Sequence, residues 1–394
     1  MCGSFCRYIG CSIFRSHIRA SKTFRVQTSA ARKARLNIFV IDPFWLEGSP
    51  YMPRAILHIG MNKTGSTSIQ HSLTGYDDGV SRYARLSAPN HSQPLSTIFM
   101  ERPENSVNWK RIGAPSEKIR AARNKFRDQL DAELSHDRRT FILSAEELCM
   151  LDHREVENLK AYFEARDIAV EVIAYVREPI GFASSALQQR IKSGLAKFGV
   201  AQPHYRFRFE SYLDVFGRSG VRFLPFSRAD FDQGSVVRDF ARRLNLDLGS
   251  IKERTANESI AAPLVAILFF WNQHPASIVN SQDTVVARRL LIRELSPHFD
   301  GKFRLSDAII RRKLDEEDIR WMEQESGIRL MPDAAPVEGE GVSGEADLEV
   351  LTAQTVPILS QMLRDKGLVV PPDGDPLKMM TRLYRMFLRQ RAEH

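Results

Sequence analysis

The sequence predicts an α/β fold, a central parallel sheet flanked by helices in three layers, with helical additions at the C-terminus. Three observations lead there. A strand-like run, Ile56-Leu57-His58-Ile59, passes through Gly60-Met61-Asn62-Lys63-Thr64-Gly65 into the hydroxyl-rich start of a helix at Ser66. A second β-branched run, Ala169 to Arg177, passes through Glu178-Pro179 into another helix. Around them, apolar runs of strand length alternate with amphipathic helical stretches, the order that arises when each parallel strand returns through a helix.

The chain has 394 residues, 43% hydrophobic and 26% charged, enough for one large domain with a buried core plus helical additions. A net charge of +8 would ordinarily suggest a polyanionic partner. Residues 1–36 carry Arg7, Arg15, Arg19, Lys22, Arg25, Arg32, Lys33 and Arg35 with no acid, and account for all of it. The rest is neutral, so no nucleic-acid footprint is expected.

Residues 1–51 are read as a basic, disordered extension outside the fold. Two readings stand for it: an organelle transit peptide, from its Arg- and Ser-rich composition, or a segment upstream of a functional start at Met52. The second is favoured because Met52-Pro53-Arg54 directly precedes the first strand. The extension has no apolar stretch of membrane-spanning length. It holds Cys2, Cys6 and Cys11, and Cys149 stands alone in the body. That is no disulfide framework and no metal signature, and a reducing, cytoplasmic compartment is expected.

Gly60 and Gly65 keep the spacing of the P-loop pattern G-x-x-x-x-G-K-[ST]. There, backbone amides and a helix N-terminus cradle phosphates and the lysine reaches the β and γ oxygens. Here Ser66 stands where that lysine would be, and the lysine has moved inside the loop as Lys63. Asn62, Lys63, Thr64, Gly65, Ser66, Thr67 and Ser68 are the candidate anion-binding residues. A ligand with a shorter phosphate arm, or a transferable group other than phosphoryl, fits this arrangement. The plain alternative is a strand-to-helix turn that needs small residues for close packing. His58 reads as a core or edge histidine, and Gln70 has no evident role.

Residues Tyr76 to Asn108 read as loops, with His91 in Ala88-Pro89-Asn90-His91. Glu117 to Leu134 reads as an amphipathic helix. The strand Thr140 to Ser144 follows and delivers Glu146 to the carboxyl edge of the sheet. His153 to Arg166 is a crossover helix before the strand at Ala169. After Arg177, the helix opens at Pro179 and closes at Gly194, residues suited to a first turn and a C-cap. Arg177 and Ser185, eight residues on, can face one point beyond the carboxyl edge, where open α/β sheets bind ligands.

Phe207 to Phe216 reads as a helix, Val221 to Phe226 as a strand and Val236 to Leu244 as a helix. Arg254-Thr255-Ala256-Asn257-Glu258-Ser259 precedes a helix with Leu264, Ile267, Leu268 and Trp271, and the pattern stays mainly helical to about Glu325. The domain is placed at 52–330 and a flexible Pro/Gly-rich linker at 331–347. A C-terminal helical segment follows at 348–394. In it, Leu348 to Leu363 is expected to kink at Pro357, and the basic amphipathic stretch Leu377 to Arg391 to pack on the main domain.

Lys63-Thr64-Gly65-Ser66-Thr67, then Arg177-Glu178-Pro179 with Ser185, resemble in order and spacing the two donor-binding motifs of a known family. It is the sulfotransferases that use 3′-phosphoadenosine-5′-phosphosulfate (PAPS). The Arg254 to Ser259 segment is similar to the Asn-x-Ser segment of bacterial members, although an ordinary Ser N-cap before a helix reads equally well. The resemblance spans roughly Pro53 to Leu268. It implies a P-loop-type fold, PAPS as donor, and the 5′-phosphosulfate on the first loop. Arg177 and Ser185 would hold the 3′-phosphate, with Arg254 near the donor. It also implies metal-independent in-line transfer to a hydroxyl or amine of a carbohydrate or small molecule, with Lys63 stabilising the leaving oxygen.

A general base is then needed within hydrogen-bond reach of the acceptor. Glu146 and His91 are the candidates, and Glu146 is preferred. Two alternatives from other classes remain: a P-loop kinase or NTPase, disfavoured by Ser66 at the lysine position, and a non-catalytic nucleotide-binding protein. The acceptor pocket is expected along the Tyr76 to Asn108 loops and the helices after Gly194. Oligomeric state carries no sequence signal.

Overall fold

The computed structural model describes residues 52–254, 259–277, 282–331 and 340–392. The basic extension, Asn257 and residues 332–339 of the expected linker lie outside the described residues.

Five strands, β1 (Arg54–His58), β2 (Ser81–Tyr83), β3 (Thr140–Ser144), β4 (Ala169–Val176) and β5 (Val221–Pro225), form one sheet in the order β2-β3-β1-β4-β5. Every pairing is parallel. The helices that accompany the sheet are α1 (Ser66–Leu73), α2 (Ser92–Phe99), α3 (Val107–Ile112), α4 (Ser116–Leu134), α5 (His153–Glu164), α6 (Pro179–Lys192), α7 (Tyr205–Gly220) and α8 (Val236–Arg243). Beyond the sheet come α9 (Ala262–Trp271), α10 (Gln282–Leu295), α11 (Asp307–Arg311), α12 (Glu316–Ser326), α13 (Glu345–Ala353), α14 (Val356–Asp365) and α15 (Pro376–Ala392).

The central stretches of β1, β3 and β4 are apolar because both faces of the sheet are covered. Side chains alternate between faces with period 2. Ala55, Leu57, Phe141, Leu143, Val172 and Ala174 enter a core with residues of α2, α4, α5 and α7. Ile56, Ile142, Ile173 and Tyr175 enter the opposite core with Ile69 and Leu73 of α1 and Phe240 of α8.

Register sets up the site. His58 is level with Ser144 on β3 and Ile173 on β4, so the loop after β1 and the turn after β3 leave the sheet side by side. β4 runs on from Ile173 to Val176, which carries Arg177 about 13 Å further along the strand direction.

Three elements depart from the sequence reading. Residues 76–108 are not all loop: they form β2, α2 and α3. β2 is too short to display a period, and Arg82 within it is buried by paired carboxylates, with Nε 2.8 Å from Glu133 Oε2 and Nη1 2.7 Å from Asp77 Oδ2. Pro357 does not kink one helix but lies in the first turn of α14, where its missing N–H leaves no helical bond unmade. The segment expected as a linker is docked where it is described. Val342 is buried and bonds through its backbone to Arg304 and Ser306, each at 2.9 Å.

A third core joins α6, α9 and α10 to the C-terminal helices through Leu268, Trp271, Leu363, Met380 and Leu383. Trp271 Nε1 donates to Thr381 Oγ1 of α15 at 3.1 Å. The apolar stripe of α15 is thus spent on packing, and the described residues fall within one compact unit. No helix among them is long and apolar enough to cross a membrane.

Candidate functional site

The chain leaves β1 through a loop built on left-handed residues: Gly60 at φ 52°, Lys63 at 72° and Gly65 at 78°. Gly65 is required twice over. Its φ favours glycine, and a Cβ there would lie 2.7 Å from Val236 Cγ1 of α8. Thr64 is buried, its hydroxyl donating back to the Met61 carbonyl at 2.5 Å, which closes the loop on itself. Gly65 is also the N-cap of α1, and no side chain caps this helix. Its first-turn amides are therefore positioned to accept an anion.

The second arm is the β4–α6 turn. Glu178 caps α6, both carboxylate oxygens accepting from Gly181 N at 2.7 and 2.8 Å, with Pro179 in the first turn. Arg177 is left free to reach across the sheet edge. Its Nη1 donates to the Lys63 carbonyl at 2.8 Å, and its guanidinium lies 5.4 Å from the Phe226 ring centroid. Tyr205 Oη donates to the Arg177 carbonyl at 2.6 Å and anchors the backbone there.

The two arms open on one cavity of about 320 Å³. Nine of the sequence-predicted residues line it: Asn62, Lys63, Gly65, Ser66, Thr67, Ser68, Glu146, Arg177 and Ser185. Thr64 supports the loop from behind. Gln189, Phe226 and Arg228 also line the cavity and were missed by sequence reasoning. Gln189 follows Ser185 by one helical turn and so shares its face. Phe226 and Arg228 follow β5, so the rule that ligands meet the carboxyl ends of parallel strands could have flagged them.

His91 and Arg254 lie elsewhere. His91 is wholly buried at the N-cap of α2, stacked on Tyr83 with ring centroids 4.6 Å apart, and its Nδ1 accepts from Ser144 N at 3.1 Å. Burial pushes its pKa down to about 4. It is a core histidine, not a base facing the cavity. Arg254 is exposed and meets α1 through its backbone, its N–H donating to Ser72 Oγ at 2.8 Å. No residue from 76–108 lines the cavity.

Three cations, Lys63, Arg177 and Arg228, face the cavity against one carboxylate, Glu146. Burial pushes the Lys63 pKa down to about 8, with Lys192 and Arg177 adding to the fall and Glu146 opposing it. Burial also lowers the Arg177 pKa. Glu146 is shifted the other way, raised by burial against the opposing pull of the Ser66 hydroxyl and Lys63. Among the described residues, Lys63 Nζ makes one long hydrogen bond, to Gln189 Oε1 at 3.4 Å. Crowded, partly desolvated cations of this kind are relieved by a bound anion. No family model matches this chain, and no curated protein matches it.

Proposed function

We propose that this chain is a PAPS-dependent sulfotransferase, acting on a hydroxyl or amine of a carbohydrate or other small molecule. The observation that carries the reading is that Arg177 and Ser185, on one strand–helix turn, share a single cavity with Lys63 and the N-terminus of α1, on another. A ligand with two separated anionic groups suits two such arms. A planar guanidinium with a neighbouring hydroxyl suits a terminal phosphate, and an ATP enzyme would have no 3′-phosphate for them to hold. Ser66 at the usual P-loop lysine position weighs against a γ-phosphate. The strand order, with the loop on the central strand between β3 and β4, supports a P-loop-type fold.

When bound, the donor supplies an activated sulfuryl group and a bisphosphate leaving group. Lys63 and the α1 amides stabilise the negative charge that grows on the leaving oxygen, as preorganised donors do. Arg177 and Ser185 anchor the far phosphate and so orient the reacting end. Glu146 takes the acceptor proton as the new O–S or N–S bond forms and the sulfur–leaving-oxygen bond breaks.

Calorimetric titration of adenosine 3′,5′-bisphosphate into the full chain, beside ATP with magnesium, tests the reading. Bisphosphate binding that Arg177→Ala weakens by roughly 10- to 100-fold is the expected result. ATP binding indifferent to Arg177→Ala would overturn it in favour of a kinase or NTPase.

A further inference from the structure

His58 ends β1 and is fully buried, yet among the described residues only one of its ring nitrogens has a partner. Nδ1 lies 2.8 Å from Ser144 Oγ. That hydroxyl also accepts from Gln70 Nε2 at 3.2 Å. Gln70 occupies one of its lone pairs, and the other is free to receive the Nδ1–H of His58. In that tautomer Nε2 is a bare acceptor.

That lone pair faces the phosphate loop. A Cβ on Gly60 would lie 3.0 Å from Ser66 Oγ, 3.4 Å from Glu146 Cγ and 3.7 Å from His58 Nε2. Glycine at 60 keeps open a space on which polar side chains converge from α1, from the turn after β3 and from β1. We propose that His58 is a positioning residue for Glu146. Its Nε2 accepts, directly or through one water seated against Gly60, a hydrogen bond from the proton that Glu146 takes from the acceptor.

The step balances. The acceptor loses its proton to the Glu146 carboxylate as its bond to sulfur forms, and the resulting acid hydrogen-bonds to a histidine that stays neutral. Ser144, Gln70, Tyr175 and Phe240 surround His58 and none is charged, and burial pushes its pKa down to about 4. The groups acting on Glu146 are Lys63, Ser66, Arg208 and Glu147. The inference rests on the sulfuryl-transfer reading only for the source of the proton.

The test is carboxyl ¹³C NMR of the ligand-free full chain, with the Glu146 signal assigned by its loss in Glu146→Gln. In His58→Phe the Glu146 midpoint should fall by about 0.5–1 pH unit, a roughly three- to tenfold change in acidity. His58→Gln, which keeps an acceptor, should restore it, and His91→Phe should leave it unmoved. An unmoved midpoint in His58→Phe overturns the inference whatever the calorimetry shows. If His58→Phe does not fold, the imidazole ¹⁵N spectrum of the unaltered protein decides: a proton on Nδ1 supports the proposal and one on Nε2 overturns it. Failure to bind the bisphosphate would sink the transfer reading while a shifted midpoint still linked His58 to Glu146.

Discussion

Arg177 holds the carbonyl of Lys63 across 2.8 Å, so the guanidinium that ends β4 is tied to the loop that follows β1. The bond leaves both side-chain charges in one cavity without joining them to each other. A single anionic ligand can therefore bridge the two strand–helix turns.

Lys63 adopts φ 72°, a conformation a non-glycine residue adopts at a cost of about 1–2 kcal/mol. Lys63→Gly should therefore be more stable than Lys63→Ala by about 1 kcal/mol in chemical denaturation. Both should lose bisphosphate affinity by roughly 10- to 100-fold, the scale of a charge-assisted hydrogen bond.

Anion affinity should fall as pH rises through about 8, because Lys63 loses its proton there in the free protein. The stability effect has the opposite sign. A lysine whose folded pKa lies below its ordinary 10.5 binds fewer protons folded than unfolded between those values, so its contribution to stability rises with pH from about 8 to 10.5. Titrations at about pH 7 and pH 9.5 should differ in the unaltered protein and converge in Lys63→Ala, within the range where its pKa shift acts.

Arg177→Ala should erase the preference for adenosine 3′,5′-bisphosphate over 5′-AMP. The unaltered protein is expected to show a preference of roughly 10- to 100-fold from one guanidinium–phosphate pair. Arg177→Lys should recover little of it, since an ammonium lacks the planar fork. Equal losses of both ligands in Arg177→Ala would place the arginine at the 5′ end instead.

Gly65→Ala should destabilise the fold by about 1–3 kcal/mol, combining the left-handed backbone with the contact to Val236. Val236→Ala in the same chain should return only the contact part. A double-mutant cycle by urea denaturation separates the two.

Much of this site is legible before folding because its signals are local. The glycine spacing of 60 and 65, Pro179 opening a helix and the Arg177–Ser185 interval each depend on short-range backbone geometry. His91 illustrates the limit. Its polarity and loop setting read like a surface residue, yet the three-residue strand β2 brings Tyr83 over it and seals it in the core. β2 has no hydrophobic period to announce itself, because its middle residue is a buried arginine satisfied by Asp77 and Glu133.

By itself the sequence determined that two strands pass through glycine- or proline-marked turns into helices and that parallel strands alternate with helices, since these follow from residue spacing along the chain. Only the tertiary structure decided which charges meet. The order β2-β3-β1-β4-β5 sets β1 between β3 and β4, bringing Glu146 and Arg177 to the Lys63 loop, while β5 adds Phe226 and Arg228 to the same cavity. It also turns the unpaired nitrogen of His58 toward Gly60. Strand order is fixed by how the two sheet faces bury their apolar side chains against helices far apart in sequence, and no local pattern encodes that.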